Sequence, residues 1–138
     1  MIKFTVPGKP QGKGRPRFAR MGKFVKTYTP AETESYEALI KLCCMEACIG
    51  KPLLDGALAI DIQAKYPIPA SWSNKKKEMA LRGELRPTVK PDFDNLAKVI
   101  CDSLNGIAYK DDTQIVSAKV FKYYAEKPCV EVEIVKVE

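Results

Sequence analysis

An α+β fold, with helices packed mainly on one face of a mixed sheet, is what this 138-residue sequence predicts. Three observations carry that expectation. Segments 58–66 and 129–137 alternate apolar and polar residues with a period of two, the mark of half-buried strands. Segments 30–49 and 94–104 repeat apolar residues with helical spacing between start and stop signals. The elements follow the order ββαβααββ rather than a strict strand–helix alternation. No internal repeat or composition break divides the chain, so residues 1–138 are expected to form one domain around one core.

Ile2–Val6 reads as the first strand. Residues 7–22 (PGKPQGKGRPRFARMG) hold too much glycine, proline and charge for a regular element and are expected to form a surface loop. Lys23–Tyr28 reads as a second short strand. Thr29, Pro30 and Glu32 suit the cap, first position and capping box of a helix. Its apolar stripe is Tyr36, Leu39, Ile40, Cys43, Cys44 and Ala47, with Glu37 and Lys41 paired on the wet face and Gly50 as the stop.

The strand 58–66 ends at Pro67 and Pro69. A short basic helix is expected over Ser73–Arg82, stopped by Gly83. Residues 84–91 read as an extended linker. The next helix starts near Asp92 or Asp94, buries Leu96, Val99, Ile100 and Leu104, and stops at Asn105-Gly106. Two strands follow, about 114–123 and 129–137, read as a hairpin through Ala125–Pro128.

Charge is distributed unevenly. Up to Ala31 there is no carboxylate but eight cations: Lys3, Lys9, Lys13, Arg15, Arg17, Arg20, Lys23 and Lys26. The rest of the chain sums to −2 against a total of +6. A basic arm on a near-neutral body suits a polyanionic partner, although a solvated terminus has the same composition. No apolar run reaches the length of a membrane span, and no secretory signal pattern opens the chain, so a cytoplasmic location is expected. Five cysteines without a CxxC pair fit reduced, mostly buried thiols. The chain has no histidine, which makes a zinc site improbable.

Against that basic background, residues 90–115 collect Asp92, Asp94, Asp102, Asp111 and Asp112. Asp94, Lys98 and Asp102 are four residues apart and share one helix face. Without imidazole, oxygen ligands for a hard divalent cation are the metal chemistry left open, and carboxylate-held Mg²⁺ beside a phosphate is its usual setting. Each residue also has a structural role open to it. Asp92 and Asp94 suit a helix start, Asp102 can pair with Lys98, and Asp111-Asp112 suit a turn. Lys9, Lys13, Arg15, Arg17 and Arg20, extended by Lys75, Lys76 and Lys77, are placed to contact phosphates. Phe18 and Phe24 are interleaved with the cations, and Trp72 reads as a packing anchor.

Three stretches together resemble the RusA family of Holliday-junction resolvases: GKPQGKGRPRF (8–18), YPIPASWSNKKK (66–77) and, most specifically, KPDFDNLAKVICDSLNGIAYKDDTQI (90–115). The resemblance implies a RusA-like fold and a homodimer that binds four-way DNA junctions and nicks two opposed strands. It implies Mg²⁺ as cofactor, with Mn²⁺ able to substitute. It assigns catalysis to Asp92, Asp94, Asp112 and Lys98. The metal ligands it implies are Asp92, Asp94 and Asp112, with Asp111 adjoining. Action on flaps or forks, or a non-catalytic basic DNA-binding role, are the alternatives.

Overall fold

The computed structural model describes residues 1–13, 17–21, 24–28 and 31–137, with backbone alone for 17–21, 24–28 and 32. In chain order the elements are β1 (Ile2–Pro7), β2 (Arg17–Met21), β3 (Phe24–Tyr28), α1 (Ala31–Ala47), β4 (Leu58–Pro67), α2 (Asn74–Leu81), α3 (Phe93–Ser103), β5 (Ile115–Ala125) and β6 (Cys129–Lys136). A mixed four-stranded sheet runs β1-β6-β4-β5, and β2 and β3 form a separate antiparallel ribbon. The expected α+β class, with a mixed sheet and three helices, is what forms.

Alternation builds the core. Ile2, Phe4 and Val6 of β1, alternate residues from Leu58 to Tyr66 of β4, and Val130, Val132 and Ile134 of β6 are all buried. Tyr36, Ile40 and Cys44 of α1, with Leu96, Val99 and Ile100 of α3, join them in one cluster. The remaining face of the sheet carries polar partners such as Lys65 and Glu131, bonded at 3.1 Å. Ser73 caps α2 by accepting the Lys76 backbone N–H at 3.2 Å, and Gly83 and Gly106 take the left-handed φ of 79° that ends α2 and α3.

Two expectations are corrected. Residues 17–21 are a strand, paired from Arg17↔Tyr28 to Met21↔Phe24. The glycines and prolines of the stretch 7–22 lie outside 17–21, which contains neither. Residues 114–137 are not a hairpin. Instead β5 runs parallel to one side of β4 and β6 antiparallel to the other. Three residues, 126–128, carry the chain across the end of β4. Two strand spacings are about 10 Å, within the reach of such a link. Parallel pairing of β4 and β5 requires a crossover, and residues 68–114 with α2 and α3 supply it.

Smaller departures concern single residues. Among the described residues Glu37 and Lys41 form no ion pair. Cys44 is buried, whereas Cys43, Cys48, Cys101 and Cys129 are half-buried; all five are free. The expected cap at Thr29-Pro30 and the Glu32 side chain lie outside the described residues.

Candidate active site

Helix α3 presents its charged residues to a cleft of about 520 Å³ between itself and β5. Asp94, Lys98 and Asp102 line the helix side, and Asp112 enters from the turn before β5. Phe93, Ala97, Ile115, Ala118 and Val120 give the same cleft an apolar wall. Helical spacing and the topology therefore bring together four residues that are up to 18 positions apart in sequence.

The turn carrying Asp112 is tightly specified. Asp111 accepts the Thr113 backbone N–H at 3.1 Å, and the Gln114 side chain accepts the N–H groups of Lys110 and Asp111 at 3.0 and 3.1 Å. Gln114 Nε2 donates to the carbonyls of Leu54 and Gly56 at 3.0 and 3.1 Å. Tyr109, fully buried, donates to the Cys101 carbonyl of α3 at 2.7 Å and ties the loop to the helix. The adjacent aspartates thus divide their tasks: Asp111 caps the turn and Asp112 faces the cleft.

The basic arm completes this end. Lys13 Nζ bonds Asp102 Oδ2 at 2.8 Å. Burial opposes ionisation of Asp102, but the Lys13 hydrogen bond and charge outweigh it and hold the carboxyl below its usual range. That hydrogen bond likewise raises Lys13 against its own desolvation. Asp112 is pushed up, first by its hydrogen-bonding proximity to Asp102. Asn105 Nδ2 donates to Asp112 Oδ2 at 3.4 Å, working the other way. The arm comes close enough that a side chain added at Gly12 would lie 3.0 Å from the Cβ atoms of both Pro91 and Asn95. Asp102 pairs with Lys13 rather than with Lys98. Lys98 has no ion pair among the described residues.

Asp92 stands apart from the cleft lining. It is the N-cap residue of α3, yet its side chain makes no cap bond. Two residues that sequence reasoning did not single out, Tyr66 and Lys122, feel its charge. A signal for Lys122 was available. Core parity on β5 runs through Ala118, Val120, Lys122 and Tyr124, opposite Ile60 to Tyr66, and a lysine interrupts it.

The remaining cations are dispersed. Lys9 is exposed beside Gln11 and Tyr36, away from the cleft. Lys75, Lys76 and Lys77 lie on α2, which packs on β5. Lys76 Nζ sits 4.1 Å above the Trp72 ring, and Trp72 meets Tyr124 edge-on at 5.2 Å. Arg15 and the side chains of Arg17, Phe18, Arg20 and Phe24 lie outside the described residues.

The donor chemistry suits a hard cation. Every anionic group on the cleft is a carboxylate, and burial, the largest influence, pushes the Cys101 thiol up to about 11, where it stays protonated at neutral pH. Among the described residues no three acidic or thiol side chains converge closely enough to enclose an ion. What the cleft offers instead is carboxylates beside open space. That suits Mg²⁺, which is commonly held by one or two carboxylates with substrate phosphates and water completing its shell.

Carboxylates on an open cleft, with Lys13 of the basic arm bonded to one of them, are a setting in which metal-assisted enzymes act on phosphate esters. The family model described as Endodeoxyribonuclease RusA matches residues 7–135, and the chain belongs to the RusA endodeoxyribonuclease family. Family membership brings nuclease action on branched DNA junctions and a general dependence on divalent metal. The chain is also 42% identical over 135 residues to "Uncharacterized protein YqaN" of Bacillus subtilis (strain 168), covering 96% of this chain and 94% of that one. Among the described residues no helix is long and apolar enough to cross a membrane.

Proposed function

We propose that residues 1–138 form one Mg²⁺-dependent endonuclease domain that resolves four-way DNA junctions as a cytoplasmic homodimer, nicking two opposed strands symmetrically. The observation that carries this reading is the meeting of Asp94, Lys98 and Asp102 on one face of α3 with Asp112 from the turn before β5. Family membership supplies the substrate class. A twofold dimer presents two identical clefts to a twofold junction, which accounts for paired incisions.

Asp94 and Asp112 face the cleft and, with Asp92 at the helix start, supply the carboxylate oxygens for Mg²⁺ or Mn²⁺. Asp111 acts through the turn that aims Asp112. These carboxylates would hold the cation, which when bound would supply Lewis-acid activation of water and positive charge for the phosphate. Lys98, exposed and unpaired among the described residues, adds positive charge beside the same phosphate. Lys13 neutralises Asp102, so the approaching backbone meets fewer net negative charges. Lys9, Arg15, Arg17, Arg20 and Lys75–Lys77 hold the flanking backbone through salt-dependent contacts.

The test is a cleavage panel of four-way junction, fork, flap and linear duplex, each with and without Mg²⁺. The expected result is metal-dependent nicking of opposed junction strands with the duplex left intact. Preferential cutting of flaps or forks would move the substrate class. Binding without cutting in either Mg²⁺ or Mn²⁺ would leave a DNA-binding module and end the nuclease reading.

A further inference from the structure

We propose that Lys122 and Tyr66 are positioning residues for Asp92, clamping the backbone that delivers this carboxylate to the start of α3. This deepens the reading of Asp92 as an active-site residue and rests on it.

Residues 84–92 belong to no helix or strand, so the aim of Asp92 depends on side chains that hold this segment from outside. Two such bonds, from Lys122 and Tyr66, act beside one that the segment's own Arg86 makes to the sheet. Arg86 Nε donates to the Lys122 carbonyl at 2.6 Å. Lys122 Nζ donates to the Val89 carbonyl at 2.7 Å. Tyr66 donates its hydroxyl proton to the Pro91 carbonyl at 2.5 Å. Two of these carbonyls lie within three residues of Asp92. The anchors are not on the linker itself. Tyr66 stands at the end of β4 and Lys122 on β5, on the same core-facing side, with the ammonium 5.0 Å from the Tyr66 ring centroid.

The placement of Lys122 argues for a specific task. Its strand neighbours Phe121 and Tyr123 point to the other face, where they stack at 6.1 Å. A lysine serving solvation alone belongs on that side. On the core-facing side burial lowers its pKa, and the charge of Asp92 opposes that shift. An ammonium is therefore kept on the half-buried, core-facing side of β5, bonded to the linker and within the field of Asp92. Asp92, for its part, makes no cap bond to its own helix. Its orientation is left to the incoming backbone, and that backbone is what the two side chains grip.

The test compares the full-length native protein with Lys122→Met, Lys122→Arg and Tyr66→Phe. Methionine retains most of the aliphatic stem and removes the donor and charge. Three measurements are made: amide hydrogen exchange of residues 88–93 without metal, Mn²⁺ affinity by calorimetry, and kcat and KM on a four-way junction. Lys122→Met and Tyr66→Phe are expected to speed exchange in 88–93 several-fold while α1 stays protected. Mn²⁺ affinity and kcat should fall by about 10–100-fold, as for other residues supporting a metal site, with KM nearly unchanged. Lys122→Arg should recover most of the loss. Exchange and Mn²⁺ affinity at native values in both variants would overturn the proposal. Loss of protection spread equally through α1 would overturn it too, because the residues would then be general packing elements. Should Lys122→Met not fold, Tyr66→Phe removes only one hydroxyl and decides alone. A native protein that cuts no branched DNA would end the functional reading, whereas exchange and Mn²⁺ binding would still judge the clamp.

Discussion

Asp92 and Asp102 lie at opposite ends of α3, about 15 Å apart along its axis, and they are held by opposite means. The N-terminal end of a helix favours negative charge, and Asp92 and Asp94 sit there. They need aim rather than neutralisation, and the sheet supplies aim through bonds to the entering backbone. Asp102 is in the last turn, where the helix dipole opposes a carboxylate and no basic residue stands; Lys98, one turn back, adds only the smallest of the influences that lower it. The counter-charge arrives from Lys13, 89 residues away. The same residue type on the same helix therefore relies on geometry at one end and on charge at the other.

The sharpest way to break this comparison is Asp94→Asn. Cleavage of a four-way junction should fall by more than about 100-fold, since an exposed carboxylate on the cleft is lost rather than its support. Gel-shift affinity for the junction should be retained or improved, because one repulsive charge is gone. Near-native cutting would remove Asp94 from the chemistry.

Asp112→Asn should cost as much activity but shift stability in the opposite direction from most substitutions. The folded pKa of Asp112 is raised, so its ionised form weakens the metal-free fold above that pKa. The variant should melt roughly 1–3 °C higher at pH 7. The gain should vanish below the ordinary carboxyl value of 3.8, where both states are protonated. Calorimetry at pH 7 and pH 3 measures both arms, and a lower Tm at pH 7 would contradict the charge argument.

Lys13→Met should have the smallest effect. Both partners of the pair are about one-third exposed, so about 0.2–1 kcal/mol of stability is at stake. Asp102 is depressed, so its share is present above the usual 3.8 and is lost as pH falls through the folded value. Lys13 is raised, so its share is present below the usual 10.5 and is lost as pH rises through the folded value. The variant should differ from native between those limits and converge with it outside them. Junction binding should also lose about one unit of salt slope. An unchanged slope would confine Lys13 to neutralising Asp102.

Much of this molecule is legible in its residues. Periodicity located β4, β6, α1 and α3, because burial on one face leaves its mark on spacing, whereas α2 is bounded by its Gly83 stop. The shared face of Asp94, Lys98 and Asp102 follows from the helical repeat alone. Partners do not follow in that way. The strand readings of about 114–123 and 129–137 do not say that β4 separates the two, since that choice depends on which strand edges β4 offers in the folded sheet. Composition taken over residues 7–22 concealed β2. Spacing left the roles of Asp111 and Asp112 undivided, because the division depends on which side chain the turn uses for its own N–H groups. The meeting of Lys13 with Asp102 and of Lys122 with the Asp92 segment is tertiary in origin.

Among the described residues β1 pairs in the four-stranded sheet with β6 alone. The first strand therefore has no edge to join until the last has been made. The basic arm follows directly from β1, so pairing with β6 anchors the strand that leads to Lys13. During translation, the carboxylates of α3 leave the ribosome well ahead of the strand that brings in their counter-charge. The β1–β6 pairing and the Lys13–Asp102 bond both join residues far apart in sequence, and contacts of that kind are slow to close.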